Sequence, residues 1–145
     1  MSFARFFFVF ALLFATVLCP VFTSPIPVPE DLADAQDLGR RTTHNGQATY
    51  FYPGDGACGG YNGSGDRIVA ISQQIWAGGH NCYLYVHITN TKTGKSVYSQ
   101  VVDECPECSS GSLDMSPRTF KDLDSNLDDG VFPIQWTFMP KGWRP

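Results

Sequence analysis

The sequence predicts an all-β fold, a small closed barrel with one short helix, held together by disulfides. Several short segments alternate apolar and polar residues, turn residues separate these segments, and about a hundred residues follow an export leader. Short strands in so small a domain would expose unpaired edges, and closing the sheet on itself removes those edges. No internal repeat or second domain is visible, so we expect one barrel.

The amino terminus has the features of an export signal. Arg5 precedes a run of thirteen residues, 6–18, that is apolar except for Thr16. This run is too short to span a bilayer and is typical of the apolar region of a secretory signal. Residues 1–23 are therefore predicted to be a signal peptide, and the protein is predicted to be secreted and extracellular.

A spacer is predicted between the signal peptide and the folded domain. Residues 24–41 contain three prolines and four acidic residues and show almost no apolar periodicity, so they cannot build a core. The segment ends in Arg40-Arg41, which is either a site for a processing protease or a solvated charge pair at the domain edge. The folded domain is predicted to span residues 42–145.

Charge excludes two classes of partner. From Thr42 onward the chain has seven Lys and Arg residues against ten Asp and Glu residues. Nucleic acid and anionic membranes attract clustered positive charge, and the sequence has no such cluster. A neutral polymer or another protein is the expected partner of this domain, which is predicted to be a monomer.

Alternation of side chains places the strands. Leu84, Val86 and Ile88 alternate with more polar neighbours, so one face of this segment is predicted to be core. A last strand puts Phe132 and Trp136 on one side. The predicted strands are residues 48–52, 67–72, 83–89, 97–103 and 131–139, with a hairpin turn at 91–94.

Four cysteines remain after the signal peptide carries Cys19 away. In an oxidising compartment an even number of cysteines favours disulfides. A zinc site is the weaker interpretation, because the chain has only one Cys-x-x-Cys pair. The residues alone leave three pairings open among Cys58, Cys82, Cys105 and Cys108.

Residues 101–117 hold the candidate functional acids. Asp103 follows the apolar end of a strand, and Asp114 precedes Ser116-Pro117, which has the N-cap and first-turn signature of a short helix. The intervening turn can bring both carboxylates to one edge of the fold. The alternative is that each carboxylate accepts backbone N–H bonds in a turn or cap.

Other polar and aromatic candidates carry weaker signals. Asn62-Gly-Ser is a glycosylation sequon in a glycine-rich loop. Tyr50 and Tyr52 are candidate sugar-stacking rings, although packing into the core is the commoner fate of an aromatic side chain. His44, His80 and His87 lack ligand spacing, so no metal and no cofactor are predicted.

The sequence resembles the RlpA-like double-psi β-barrel superfamily, which includes expansins, barwin, rare lipoprotein A and the fungal loosenins. The resemblance is carried by Val-Val-Asp-Glu-Cys-Pro at 101–106 and Leu-Asp-Met-Ser-Pro at 113–117. It extends in the family's order to residues 46–52, 56–59, 93–96 and 134–136. It implies a six-stranded double-psi barrel with Cys58 paired to Cys82, which leaves Cys105 to pair with Cys108.

The resemblance also implies a groove. In expansin-like proteins the aspartate matching Asp114 lies in an open polysaccharide groove and is needed for wall loosening, and the aspartate matching Asp103 lies beside it. Thr49 or Tyr50 of the first strand is implied to line the same groove. Family-45 endoglucanases take a second acid from that strand, where residues 49–52 here include no carboxylate. Hydrolysis by paired acids is therefore not expected.

We therefore expect a secreted expansin-like or loosenin-like protein that binds cell-wall polysaccharide, such as cellulose, chitin or a similar glucan, and loosens it without hydrolysis. One alternative is a protein-binding module, such as an effector or an inhibitor of a secreted cysteine protease, because fold alone does not decide function. A second alternative is a lytic transglycosylase-like enzyme, for which a single acid suffices.

Overall fold

The computed structural model of the chain describes residues 42–124 and 126–145. The predicted signal peptide at 1–23 and spacer at 24–41, including Arg40-Arg41, lie outside these residues. No helix in the described part of the chain is long and apolar enough to cross a membrane.

Six strands and two short α-helices make up the domain. The strands are β1 (His44–Tyr50), β2 (Ile68–Ser72), β3 (Tyr85–Asn90), β4 (Ser96–Cys105), β5 (Leu113–Met115) and β6 (Phe132–Phe138). The helices are α1 (Gln73–Trp76) and α2 (Pro117–Leu123), and 3-10 turns cover Ala77–Gly79 and Leu127–Asp129.

The strands close into a barrel in the order β1-β5-β2-β4-β3-β6. Two neighbouring pairs, β1 with β5 and β2 with β4, run parallel, and the other four pairs run antiparallel. In this ring β3 lies opposite β5. The closed, disulfide-held six-stranded barrel confirms the predicted double-psi fold class.

The barrel interior is filled by the apolar face of each strand. Leu84, Val86 and Ile88 are buried as their alternation predicts, and Trp136 donates its indole N–H to the buried carbonyl of Gly111 at 2.7 Å. The core consists of Ala48, Val69, Ile71, Leu84, Val86, Ile88, Val97, Val101, Leu113, Met115, Phe120, Leu123, Phe132, Ile134, Trp136 and Phe138.

Five of the six strands match the predicted segments to within a few residues. The prediction missed β5, whose three residues pair with β1 on one side and β2 on the other. It also named one helix where residues 42–124 and 126–145 contain two. Helix α1 is too short for apolar periodicity to reveal, and its Ile75 and Trp76 pack against the core from one turn.

Helix α2 begins where the sequence places it. Ser116 is the N-cap and its hydroxyl accepts the Thr119 backbone N–H at 3.2 Å, while Pro117 occupies the first turn. The same hydroxyl donates to the Asp66 carbonyl. These bonds give a free backbone N–H at the start of α2 a partner and fix the chain directly after β5. Ser116 is two residues from Asp114, so the same bonds help to position that carboxylate.

Both disulfides have the predicted pairing. Cys58 joins Cys82 with a Cα–Cα distance of 5.5 Å, and Cys105 joins Cys108 with a Cα–Cα distance of 5.3 Å. The first ties the loop after β1 to the segment before β3, and the second closes a tight turn at the end of β4. Disulfides of this kind are typical of proteins that leave the reducing cytosol.

Candidate functional site

Four strands bring the predicted site residues into one row. Thr49 of β1 is in register with Asp114 of β5, Asp114 is in register with Ala70 of β2, and Ala70 is in register with Asp103 of β4. Neighbouring strands lie about 4.8 Å apart, so the two aspartate backbones are about 10 Å apart. Ala70 lies between them and, having only a methyl group, leaves an open floor.

Asp114 is a half-buried carboxylate with one side-chain partner. The Thr49 hydroxyl donates to its Oδ1 at 2.8 Å. Burial raises the pKa of Asp114, and hydrogen bonds from the Thr49 side chain and the Met115 backbone lower this pKa by less. The net shift is upward because burial penalises the charged form and no cation among the described residues compensates for it.

Asp103 both lines the site and anchors a loop. Its Oδ1 accepts the backbone N–H groups of Ala57 at 2.8 Å and of Glu104 at 2.9 Å. Gly56 lies so close to β4 that a Cβ there would be 2.5 Å from the Val102 carbonyl oxygen. The carboxylate therefore holds the loop after β1 against β4, which is the turn role that the sequence left open.

Two adjoining cavities share Asp114, Cys105 and Glu107. One has a volume of about 270 Å³ and the other about 280 Å³. We call the two together the Asp114 groove. It is lined by Gln47, Thr49, Phe51, Ala70, Asp103, Glu104, Cys105, Pro106, Glu107, Cys108, Ser109, Ser112 and Asp114.

The predicted first-strand tyrosines lie apart from this lining. The Tyr50 ring packs against Phe120 of the core at a centroid distance of 5.1 Å, and the Tyr52 ring is 72% exposed at 6.2 Å from Tyr50. Thr49, the other first-strand residue named from the sequence, lines the groove together with Gln47 and Phe51. Alternation from Thr49 could have found Gln47 and Phe51, because residues two apart share a face.

Two acidic residues of the groove were missed by the sequence argument. Glu104 directly precedes the Cys105–Cys108 turn, Glu107 lies within it, and both line the cavity that contains Asp103 and Asp114. The signal was present, because the stretch from Asp103 to Glu107 holds three carboxylates in five residues. Across the groove, β1 and the residue that follows it present Gln47, Thr49 and Phe51, none of which can supply a carboxylate.

A separate aromatic cluster lies on the wall opposite β5. His87 and Tyr98 have ring centroids 4.6 Å apart, and Tyr98 and Trp143 have centroids 4.5 Å apart. Tyr85 meets Trp143 edge-on at 5.7 Å. These contacts hold the carboxy-terminal segment against β3 and β4.

The remaining candidates lie outside the groove. Asn62 is half-buried, and its backbone N–H donates to the Gly54 carbonyl at 2.9 Å, so the sequon lies in the loop after β1. His44 stacks on Trp136 at 4.3 Å. Within residues 42–124 and 126–145, no group of three or more His, Cys, Asp or Glu side chains is arranged to hold a metal ion.

Several curated proteins with similar sequences come from plants. Over 103 residues the chain is 32% identical to an EG45-like domain containing protein of Citrus jambhiri, covering 63% of this chain and 78% of the relative. Over 96 residues it is 32% identical to a putative ripening-related protein 7 of Oryza sativa subsp. japonica, covering 58% and 59%. The chain thus spans a little over half the length of ripening-related proteins 6 and 7 of rice. No protein-family model matches the chain.

Solved structures with this fold and more than 25% sequence identity include an expansin and a protease inhibitor. A mutant expansin of Clavibacter michiganensis in complex with cellohexaose has a TM-score of 0.62 and 26% identity, covering 72% of this chain and 54% of that one. The Streptomyces papain inhibitor has a TM-score of 0.60 and 28% identity, covering 69% and 96%. The first of these similar structures is a complex with an oligosaccharide, and the second is a protease inhibitor.

Proposed function

Because the chain belongs to the expansin-like, EG45-like family of double-psi β-barrel proteins, we propose that it is an exported protein that binds cell-wall polysaccharide in the Asp114 groove. In this proposal it loosens contacts between polymer chains and cleaves no bond. The Cys58–Cys82 and Cys105–Cys108 disulfides support export, since such bonds persist in oxidising compartments.

One observation carries the proposal. A half-buried carboxylate, Asp114, lies on the floor of an open groove with Thr49 bonded to it, in a chain whose fold matches an expansin crystallised with cellohexaose. A polar group held in place by its neighbours makes a hydrogen bond to a ligand at little further entropic cost.

The proposed mechanism is an exchange of hydrogen bonds. The carboxylates of the groove accept hydrogen bonds from sugar hydroxyls, the Gln47 amide both donates and accepts, and the Phe51 ring offers an apolar surface to a pyranose face. Contacts made in the groove replace contacts between polymer chains. No covalent bond is made or broken, so no second catalytic group is needed.

Placement of the carboxylates supports binding without cleavage. A glycosidase needs a general acid on one side of the bond and a base or nucleophile on the other. Asp103, Glu104 and Glu107 all belong to β4 or the turn that follows it, whereas the β1 wall has no ionisable lining residue. Asp103 is in addition bonded to two backbone N–H groups.

The test is Asp114→Asn, assayed for binding to and loosening of cellulose and chitin. The amide keeps the shape and an acceptor for Thr49 but removes the charge and the proton. We expect the free energy of unfolding at neutral pH to change by no more than about 1 kcal/mol and loosening to be lost. Asp128→Asn is the matched control, because Asp128 is exposed and does not line the groove.

Two results would overturn this proposal. A folded Asp114→Asn protein that loosens the polymers as well as the Asp128→Asn control would remove Asp114 from the function. Soluble sugar products released by the unchanged protein and not by Asp114→Asn would make the protein a lytic enzyme.

A cysteine-protease inhibitor is the second candidate function. It is favoured by the match to the Streptomyces papain inhibitor, since the similarity covers 96% of that chain at 28% identity. A papain inhibition assay separates the two candidates. Tight inhibition by Asp114→Asn together with absence of polymer binding by the unchanged protein would favour the inhibitor.

A further inference from the structure

We propose that the polysaccharide taken by the Asp114 groove is one that carries protonated amino groups, a deacetylated amino-sugar polymer, in preference to a neutral glucan. This inference rests on the proposed function and adds the chemical class of the ligand. The groove is identified as a site by its two cavities, its row of registered residues and its expansin-like fold. Its charges decide which polymer it favours.

All the ionisable side chains that line the groove and are free of disulfides are acids. They are Asp103, Glu104, Glu107 and Asp114, and no lysine, arginine or histidine is among the lining residues. The cations of the described chain lie elsewhere, at Arg67, Lys92, Lys95, Arg118, Lys121, Lys141 and Arg144. Arg67 and Arg118 both pair with Asp122, outside the groove.

The groove acids also keep acceptor capacity for a ligand. Within residues 42–124 and 126–145, the side chains of Glu104 and Glu107 have no hydrogen-bond or ion-pair partner, and Oδ2 of Asp103 has none either. Asp114 uses its Oδ1 for Thr49. A neutral sugar hydroxyl can satisfy such oxygens, but it leaves their charge uncompensated.

An amino sugar in its protonated form matches this arrangement. An ammonium group has three donors and no acceptor, whereas an ionised carboxylate only accepts. Hydrogen bonds between two charged groups are shorter and stronger than those between neutral groups. Burial raises the pKa of Asp114, and among the described residues no cation pairs with its carboxylate. N-acetylation removes both the charge and two of the donors.

The experiment compares two ligands of equal length, the β-1,4-linked glucosamine hexamer and its fully N-acetylated counterpart. Binding is measured by calorimetry and by backbone NMR shifts at mildly acidic pH, where the amines are protonated. We expect the glucosamine hexamer to bind about tenfold or more tightly than the acetylated one. This preference should weaken as salt rises from about 0.05 M to about 0.5 M, because screening shortens the range of charge interactions.

Two double variants locate the charge effect. Glu104→Gln/Glu107→Gln removes two groove carboxylates that have no partner in the described chain, and we expect it to bring the two affinities to within about twofold of each other. Asp128→Asn/Asp129→Asn removes the same net charge away from the groove and should keep the preference. The two pairs have equal net charge, so overall attraction cannot account for a difference between them.

The possible outcomes separate this inference from the function on which it rests. Equal or tighter binding of the acetylated hexamer overturns it, as does a preference that survives in Glu104→Gln/Glu107→Gln. If neither hexamer binds while cellulose is still bound and loosened, the groove takes neutral chains and only this inference fails. If no wall polymer is bound or loosened, the proposed function fails as well.

Discussion

At the scale of single residues, two aspartates show how partners set the behaviour of a carboxylate. Burial raises the pKa of Asp114, which has hydrogen bonds but, in the part of the chain that the structure describes, no paired cation. Burial would also raise the pKa of Asp122, but hydrogen bonds and charge from Arg67 and Arg118 outweigh it and lower this pKa. Asp114 therefore holds a proton more readily than an ordinary aspartate, and Asp122 less readily.

These opposite shifts predict opposite effects of pH on stability. A raised pKa means that the folded state binds more protons than the unfolded state between the ordinary pKa and the raised one. Stability from Asp114 is thus full below its ordinary pKa and falls as pH rises through that window. As pH rises through this window, we expect the free energy of unfolding of Asp114→Asn to increase relative to that of the unchanged protein. Urea unfolding at a series of pH values measures this difference.

Asp122→Asn is the control with the opposite sign. The lowered pKa means that stability from Asp122 is present above the ordinary pKa and is lost as pH falls through the lowered one. The variant should therefore cost stability near neutral pH, and the cost should shrink on acidification. Because these ion pairs are exposed, the neutral-pH cost should be about 1 kcal/mol or less. The same pH trend in both variants would contradict the assigned environments.

At the scale of secondary-structure elements, two glycines allow β1 to approach the turn before β5. Gly111 has φ of +83°, and a Cβ on it would lie 2.3 Å from the Asn45 carbonyl oxygen. A Cβ on Gly46 would lie 2.3 Å from the Gly111 carbonyl group. This approach places the buried Gly111 carbonyl to accept from Trp136, and β5 with Asp114 follows immediately.

Gly111→Ala should destabilise the domain strongly. The new methyl group meets backbone on the other side, which cannot move aside as a flexible side chain can, so we expect a loss of about 3 kcal/mol or more in urea unfolding. Gly94→Ala is the matched control, because Gly94 has a similar φ of +74° and nothing within 4 Å of the added Cβ. It should cost only about 1 kcal/mol for the left-handed backbone. Equal losses of unfolding free energy in the two variants would show that the close approach of β1 to Gly111 does not affect stability.

At the scale of the whole molecule, the two disulfides constrain very different lengths of chain. Cys58 and Cys82 are 24 residues apart, and Cys105 and Cys108 are 3 residues apart. A cross-link stabilises a protein largely by restricting the unfolded chain, and this effect grows with loop length. The long loop therefore supports the global fold, whereas the short one shapes a wall of the Asp114 groove.

Removing each disulfide by paired serine substitutions should separate these roles. We expect Cys58→Ser/Cys82→Ser to lose about 3 to 4 kcal/mol of unfolding free energy and Cys105→Ser/Cys108→Ser about 2 kcal/mol. Only the second pair lines the groove, so it should weaken polysaccharide binding by more than its loss of stability explains. A larger stability loss for the short loop would contradict this division.

The sequence by itself determined the elements that have a local signature. Alternation located the buried faces of β3 and β6, and Ser116-Pro117 located the start of α2, because side-chain period and capping depend on residues close in the chain. An even count of cysteines in a chain predicted to be exported indicated two disulfides, and family resemblance supplied their pairing. The candidate acids Asp103 and Asp114 came from the same short stretch.

Only the tertiary structure decided which of these residues meet. Thr49 donates to Asp114 across 65 residues of chain, and Ala70 separates Asp114 from Asp103 because β2 lies between β5 and β4 in the ring. The three residues of β5 form a strand because β1 and β2 flank them, since so short a segment has no pattern of its own. The periodicity of a segment predicts which face of the sheet a side chain lies on, but the strand order of the closed barrel determines which residues lie beside it on neighbouring strands.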